Sequence, residues 1–235
     1  MPHPNSDWLA TLPRDRCLAE FSLWSANLIA LDADLVRVGR HADLYHIDVA
    51  DGVFAPGLLF FPDLVTALRQ RSEIPFHVHL MVDDAVLLAQ VEQFAAAGAD
   101  LISLHVENRN AAQALSRIKA LGLRAGLVLK LETPVAAAQP FLAEIDFLTL
   151  LGTRIGVKGQ GLDPSAPDRL LAARRLITTR TAGARCILAA DGGIRQETVP
   201  ALYAAGAQTV VMGSLAYGAA DLAARMGWLH ALARG

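Results

Sequence analysis

Cysteine is scarce in this chain: Cys17 and Cys186 are the two, far apart and with no CxxC spacing. That pattern excludes a disulfide frame and reads as reduced thiols in a cytoplasmic protein. Long runs of one charge sign are also missing, and the formal net charge is only -2. Neither nucleic acid nor a membrane surface is therefore an expected partner. No apolar run reaches transmembrane length, and residues 1–13 lack the basic patch and apolar centre of a signal peptide. These absences leave a small soluble substrate. What is present is apolar bulk: 53% of the 235 residues are hydrophobic and 19% charged. That bulk can build a sizeable core, and the length fits one large α/β barrel, which typically takes about 250 residues. We expect one domain over residues 1–235, with a short extension, about residues 1–18, before the first strand.

Short apolar runs rich in β-branched residues alternate with longer Ala/Leu/Arg-rich stretches, the rhythm of parallel βα units. Strands are expected at residues 19–24, 43–49, 75–81, 100–106, 124–130, 145–151, 185–190 and 208–213. Residues 84–97, 111–121, 167–181 and 197–205 carry apolar side chains at three- and four-residue spacing, as amphipathic helices do. Gly98, Gly122 and Gly206 each stand between a helical stretch and a strand, where a left-handed cap suits a residue without Cβ. The segments Ala96-Ala97-Gly98-Ala99-Asp100 and Ala204-Ala205-Gly206-Ala207-Gln208 look like copies of one unit. Such a repeat suits a barrel, and a doubly wound sheet equally well. Before the first strand, Ser6-Asp7-Trp8-Leu9 has the pattern of a helix start and is expected to cover the bottom of a barrel.

Chemistry concentrates where strands end. His46 and Asp48 share one face of the second strand because strand side chains alternate, and His77 and His79 do the same on the third. Taken alone, an HxD triplet is more often a strand-end histidine beside a solvated aspartate. Asp191, followed by Gly192-Gly193, closes the seventh strand. In a parallel barrel the carboxyl ends of the strands form the active face, so His46, Asp48, His79 and Asp191 would converge although distant in sequence. Two imidazoles and two carboxylates suit zinc, iron(II), manganese or cobalt.

The segment His46-Ile47-Asp48-Val49-Ala50-Asp51-Gly52-Val53-Phe54-Ala55-Pro56 resembles the HxDxMDGxFxP motif of ribulose-phosphate 3-epimerases. His77-Val78-His79-Leu80-Met81 is similar to their DVHLM strand and Ala190-Asp191-Gly192-Gly193-Ile194 to their VDGGV turn. Phe21-Ser22-Leu23-Trp24-Ser25-Ala26, Thr133-Pro134 and Val211-Met212-Gly213-Ser214 match further motifs, so the resemblance runs from about Glu20 to Tyr217. It implies an α/β fold, a single (β/α)8 TIM barrel, and inversion of C3 of a ketose phosphate, D-ribulose 5-phosphate to D-xylulose 5-phosphate first. It further implies one divalent metal per chain, zinc or iron(II) before manganese or cobalt, held by His46, Asp48, His79 and Asp191. Asp48 and Asp191 would also move the proton. Gly192, Gly193, Gly213 and Ser214 would hold the phosphate, backbone N–H groups being suited to an anion. Gly156, Lys158 and Gly159, in the loop aligned with the family's GFGGQ, would close over it. Ser22, His79 and Met81 would meet the sugar, and the family's assemblies imply a homo-oligomer.

Departures from the family pattern fall mostly around the substrate chamber. Ala50 and Leu151 stand where the family has methionines, so a chamber wider near the second strand is expected. Arg154 and Ile155 replace an Asn-Pro pair, Gly57 an Asn and Lys158 a glycine. His77 takes the place of an Asp and reads as a packed, hydrogen-bonded residue behind the site; His105 and Glu107 read as its polar neighbours, outside it. Another ketose phosphate, a hexulose 6-phosphate or a tetrulose phosphate, is the second expectation, and a non-catalytic sugar-phosphate binder a third. A decarboxylase of related barrel type would carry DxKxxD, and no lysine lies between Asp48 and Asp51.

Overall fold

The computed structural model describes residues 3–180 and 186–233. The eight strands are β1 Leu18–Ser22, β2 Leu44–Ala50, β3 Phe76–Met81, β4 Leu101–His105, β5 Arg124–Leu129, β6 Phe147–Leu151, β7 Ile187–Asp191 and β8 Thr209–Met212. They pair in parallel, in sequence order, and β1 closes the ring on β8. The barrel is thus the architecture formed, and a doubly wound sheet is not. The helices are α1 Trp8–Thr11, α2 Leu31–Gly39, α3 Pro62–Arg69, α4 Asp84–Ala97, α5 Ala111–Ala120, α6 Ala166–Arg180, α7 Val199–Ala204, α8 Ser214–Tyr217 and α9 Leu222–His230. Strand boundaries fall within about two residues of those expected from alternation. The expected strand start at Arg185 and helix end at Thr181 lie outside the described residues. Between β5 and β6 the chain makes a 3-10 stretch, Val135–Phe141, instead of a full helix. Pro140 inside it lacks the N–H that an α-helical ladder needs. No helix of the described residues is long and apolar enough to cross a membrane.

The period of two explains the barrel interior layer by layer. Leu18, Leu44, Leu101, Phe147 and Ile187 form the lowest layer and pack with Trp8, Leu9 and Leu12, so α1 and the residue after it plug the bottom as expected. Asp7 takes the N-cap position there without a side-chain capping bond. Two residues further along the same strands come Glu20, His46, Ser103 and Thr149, all fully buried and all polar. Another two residues bring Ser22, Asp48, His105, Leu151 and Asp191 to the carboxyl ends.

Gly98, Gly122 and Gly206 all adopt positive φ, as their positions between helix and strand suggested. Gly98 matters most. Its φ is +103°, and a Cβ there would lie 2.7 Å from Cγ of Arg69. The buried Arg69 guanidinium donates to Gly98 O at 3.1 Å, Ser72 O at 2.9 Å, Ile74 O at 3.1 Å and Asp100 Oδ2 at 2.7 Å. It also lies 3.5 Å from the centre of the Phe76 ring. Gly98→Ala should therefore combine left-handed backbone strain with displacement of Arg69, destabilising the fold by roughly 2–3 kcal/mol. Urea unfolding checks this, and a shift worth less than about 0.5 kcal/mol would show that Arg69 yields freely.

Candidate metal centre and active site

Parallel pairing in register sets the spacing of the central group. Asp48 on β2 pairs with His79 on β3, and Leu151 on β6 with Asp191 on β7. His46 Nε2 lies 3.3 Å from Asp48 Oδ1 and 3.4 Å from His79 Nδ1. His79 Nδ1 lies 3.4 Å from Asp48 Oδ1, and Asp191 Oδ2 is 4.0 Å from His46 Nε2 and 3.9 Å from His79 Nδ1. All four residues thus offer one ligand atom within 4.8 Å of the others, a group that could hold a metal ion. The sequence expectation named these same four.

The outer faces of both imidazoles are committed elsewhere. Glu20 Oε2 lies 3.0 Å from His46 Nδ1 and 2.6 Å from His77 Nδ1, and His77 Nε2 lies 2.6 Å from Ser103 Oγ. An ionised carboxylate only accepts, so both Nδ1 atoms carry hydrogen and His77 Nε2 accepts from the serine. On the other side His79 Nε2 is 2.9 Å from His105 Nε2, and His105 Nδ1 is 3.1 Å from Glu107 Oε2. By the same reasoning His105 donates to Glu107 and accepts from His79. In its neutral form each of the two histidines thereby keeps its lone pair on the nitrogen that faces the centre, the tautomer a metal requires.

For the groups behind the centre, electrostatics agree with this assignment. Burial pushes the Glu20 carboxyl up, but its interactions with His77 and His46, hydrogen bonds from both among them, outweigh it and hold it well below the usual carboxylate range. Burial lowers His77, and the nearby Glu20 only partly opposes that. His105 is brought down to about 4, chiefly by burial. Burial alone would raise Glu107, but the hydrogen bonds from His105 and Thr133 bring it to about 2. At the centre, burial would lower His46, yet Asp48 at hydrogen-bond range raises it well above its ordinary value. Burial would raise Asp48, and His46 reverses this so that Asp48 stays ionised. Asp191 moves upward, first through burial and then through the charge of Asp48. The two carboxyl groups therefore differ in proton affinity although they share a site.

A cavity of about 270 Å³ opens above this group. Ser22, Asp48, His79, Met81, Gly156, Lys158, Gly159, Asp191, Gly192, Gly193, Gly213 and Ser214 all line it, with His46 fully buried beneath. Ser22 Oγ donates to Asp48 Oδ2 at 2.9 Å. Thr198 Oγ1 braces the turn after β7, accepting from Arg195 N at 2.9 Å and donating to Gly193 O at 2.8 Å. Sequence reasoning missed Glu20 and left out His105 and Glu107, which the structure ties to His46 and His79. It also missed Trp24, Thr153 and Arg195, which line the cavity. A polar residue of the right parity on an inward strand face was the available signal for Glu20.

Near the second strand the expected widening is not found. Ala50 is buried in a cluster with Ala55 and Met81, against which Phe54, Leu59 and Ile155 pack, and it does not line the cavity. Leu151 does. Lys158 lines the cavity as well, with Nζ donating to Trp24 O and lying 4.6 Å from the Trp24 ring centre. Gln160 ties the loop to itself, its Nε2 donating to Arg154 O at 2.9 Å and Val157 O at 2.8 Å and its Oε1 accepting from Arg154 N at 3.3 Å. Gln160→Ala removes all three bonds, so proteolytic nicking within residues 154–159 should accelerate roughly tenfold with the global unfolding midpoint unchanged. An unchanged nicking rate would mean that contacts with the β1 and β2 loops alone hold the segment.

A family model described as "Ribulose-phosphate 3 epimerase family" matches residues 18–217. Ribulose-phosphate 3-epimerase 1 of Cupriavidus necator is 36% identical over 202 residues, 81% of this chain and 83% of that protein. Ribulose-phosphate 3-epimerase of Bacillus subtilis is 34% identical over 203 residues, 85% of this chain and 92% of that protein. Among solved structures, a 3-hexulose-6-phosphate synthase superposes with a TM-score of 0.62 at 21% identity, covering 91% of this chain and 95% of that one. That last likeness concerns the fold.

Proposed function

We infer the reaction from one premise: this chain belongs to the ribulose-phosphate 3-epimerase family. The reaction is inversion at C3 of a ketose phosphate, with D-ribulose 5-phosphate and D-xylulose 5-phosphate as the pair. The observation that carries it is the group His46, Asp48, His79 and Asp191 at the floor of a cavity large enough for a small sugar phosphate. Two imidazole nitrogens and two carboxylate oxygens, with both tautomers set for coordination, fit one divalent cation, zinc or iron(II) before manganese or cobalt. When bound, such a cation would polarise the carbonyl next to C3 and so acidify the C3 hydrogen.

The chain's own groups do the rest. Inversion needs one group to take the proton from one face of C3 and another to deliver a proton to the opposite face. Asp48 and Asp191 take these two roles, with Ser22 holding Asp48 in place. The phosphate rests against Gly192, Gly193, Gly213 and Ser214, under the loop that carries Gly156, Lys158 and Gly159. Met81 and Leu151 line the chamber between phosphate and floor. The proposed working state is a homo-oligomer, in the cytoplasm; exposed Ile29, Val53, Leu58 and Phe61, on the loops after β1 and β2, support the oligomer. Leu151 and Arg154, which depart from the family pattern and line the cavity, favour a different ketose phosphate as the second reading.

The protein should bind about one equivalent of divalent metal per chain, and His46→Ala or His79→Ala should lower metal content and activity together. Exhaustively chelated wild type with full activity would defeat the metal assignment. Asp191→Asn preserves size and one oxygen but not the ability to carry a proton. In metal-replete protein it should slow epimerisation by roughly a hundredfold or more. In deuterium oxide the same variant should exchange the C3 hydrogen of one epimer without forming the other. Near wild-type turnover in that metal-replete variant would leave Asp191 a ligand only and end the two-carboxylate mechanism.

A further inference from the structure

We infer that Glu20 is the positioning residue of the metal centre, holding ligand His46 by its Nδ1 so that Nε2 faces the cation. The inference rests on the reading of His46 as a ligand. Glu20 is fully buried in the middle layer of the barrel, where a carboxylate is unfavourable unless donors surround it. Its Oε2 takes two such donors, His46 Nδ1 at 3.0 Å and His77 Nδ1 at 2.6 Å. An imidazole free to rotate about its side chain presents either nitrogen to the centre. One whose Nδ1–H is bound to a fixed acceptor presents only Nε2.

His77 keeps the acceptor fixed. Its ring is wedged between His46 and Phe147, with ring centres 4.7 and 5.5 Å apart. Its far nitrogen takes a hydrogen bond from Ser103 Oγ at 2.6 Å. Gly126 on β5 faces that serine, and a Cβ there would lie 3.0 Å from Ser103 Cβ and overlap its hydroxyl. A line of polar contacts therefore runs across the barrel from Ser103 through His77 and Glu20 to His46. Strand β1 supplies none of the four ligand atoms, yet it orients both ligands of β2. Glu20 holds His46, and Ser22, two residues on and facing the same way, holds Asp48 at 2.9 Å. Glu20 also places a buried negative charge one imidazole away from the cation, which makes His46 a stronger donor.

The test compares zinc affinity in wild type, His46→Ala and Glu20→Gln by competition with a chromophoric chelator, together with the cobalt(II) absorption spectrum of each. Glutamine matches glutamate in size but cannot accept both N–H groups on one ionised oxygen. Glu20→Gln should weaken zinc binding roughly ten- to a hundredfold and shift the cobalt bands. A purely structural role would lower the unfolding midpoint and leave affinity and spectrum as in wild type. Wild-type zinc affinity in Glu20→Gln alongside a large loss in His46→Ala overturns the inference and leaves the metal site standing. Unchanged affinity in both variants overturns the ligand reading itself. Should Glu20→Gln fail to fold, nitrogen-15 NMR of the zinc-loaded wild type decides. A hydrogen-bonded Nδ1–H on His46 with the metal on Nε2 upholds the inference, and coordination through Nδ1 overturns it.

Discussion

Two carboxylates and two imidazoles with ligand atoms within 4.8 Å of one another cannot sit in a nearly dry pocket without a shared positive charge. The raised proton affinity of His46 expresses that demand directly, since the proton is drawn by Asp48 at 3.3 Å. A divalent cation answers it better, because it meets all four atoms at once. The barrel supplies what the demand requires: strand ends that bring residues 46, 48, 79 and 191 together, and walls that exclude water. Without closure between β1 and β8 the Glu20 carboxylate would face solvent and lose its hold on His46.

The polar middle of the barrel follows from the same demand. Metal-binding histidines need hydrogen-bond acceptors behind them, and in a parallel barrel those must come from inward positions on neighbouring strands. His46 finds Glu20 directly; His79 reaches Glu107 through His105. Glu107 Oε1 in turn accepts from Lys130 N at 3.0 Å and from Thr133 Oγ1. Arg169 on α6 donates to Thr133 O and Lys130 O, both at 2.8 Å. A continuous line of hydrogen bonds thereby joins His79 to the loop after β5 and to an outer helix.

How far this was legible in the sequence depended on the range of the interaction. The strands were, because alternation and the glycines that end helices are local signals. The four ligand candidates were as well, since HxD, HxH and the aspartate before Gly192-Gly193 mark strand ends and the fold brings strand ends together. Glu20 showed only as a polar residue of inward parity: a single glutamate in an apolar strand carries no motif, and its partners sit on β2 and β3. His105 and Glu107 were set aside for the same reason, since the bond to His79 depends on how β3 and β4 pair. The fate of Ala50 turned on Ile155, which packs against its cluster from a loop about a hundred residues away.

Chemistry and selectivity are held by different kinds of contact. The floor is fixed by mutual distances among charged atoms, so exchanging one of them disturbs the others. The rim is fixed by loop packing and a few hydrogen bonds. Arg154, Ile155 and Lys158, the residues at which the chain departs from the family's loop, all lie on the rim. Their loop is anchored on the loops after β1 and β2, with Lys158 donating to Trp24 O, Ile155 packed on the cluster of Ala50, Ala55 and Met81, and Gly156 against Pro56. A smaller side chain at position 50 is thus met by a packed isoleucine from across the mouth, and of positions 50 and 151 it is Leu151 that lines the cavity. The departures that reach the cavity therefore lie on its β6 side, while the group of His46, Asp48, His79 and Asp191 beneath keeps the residues of the family pattern.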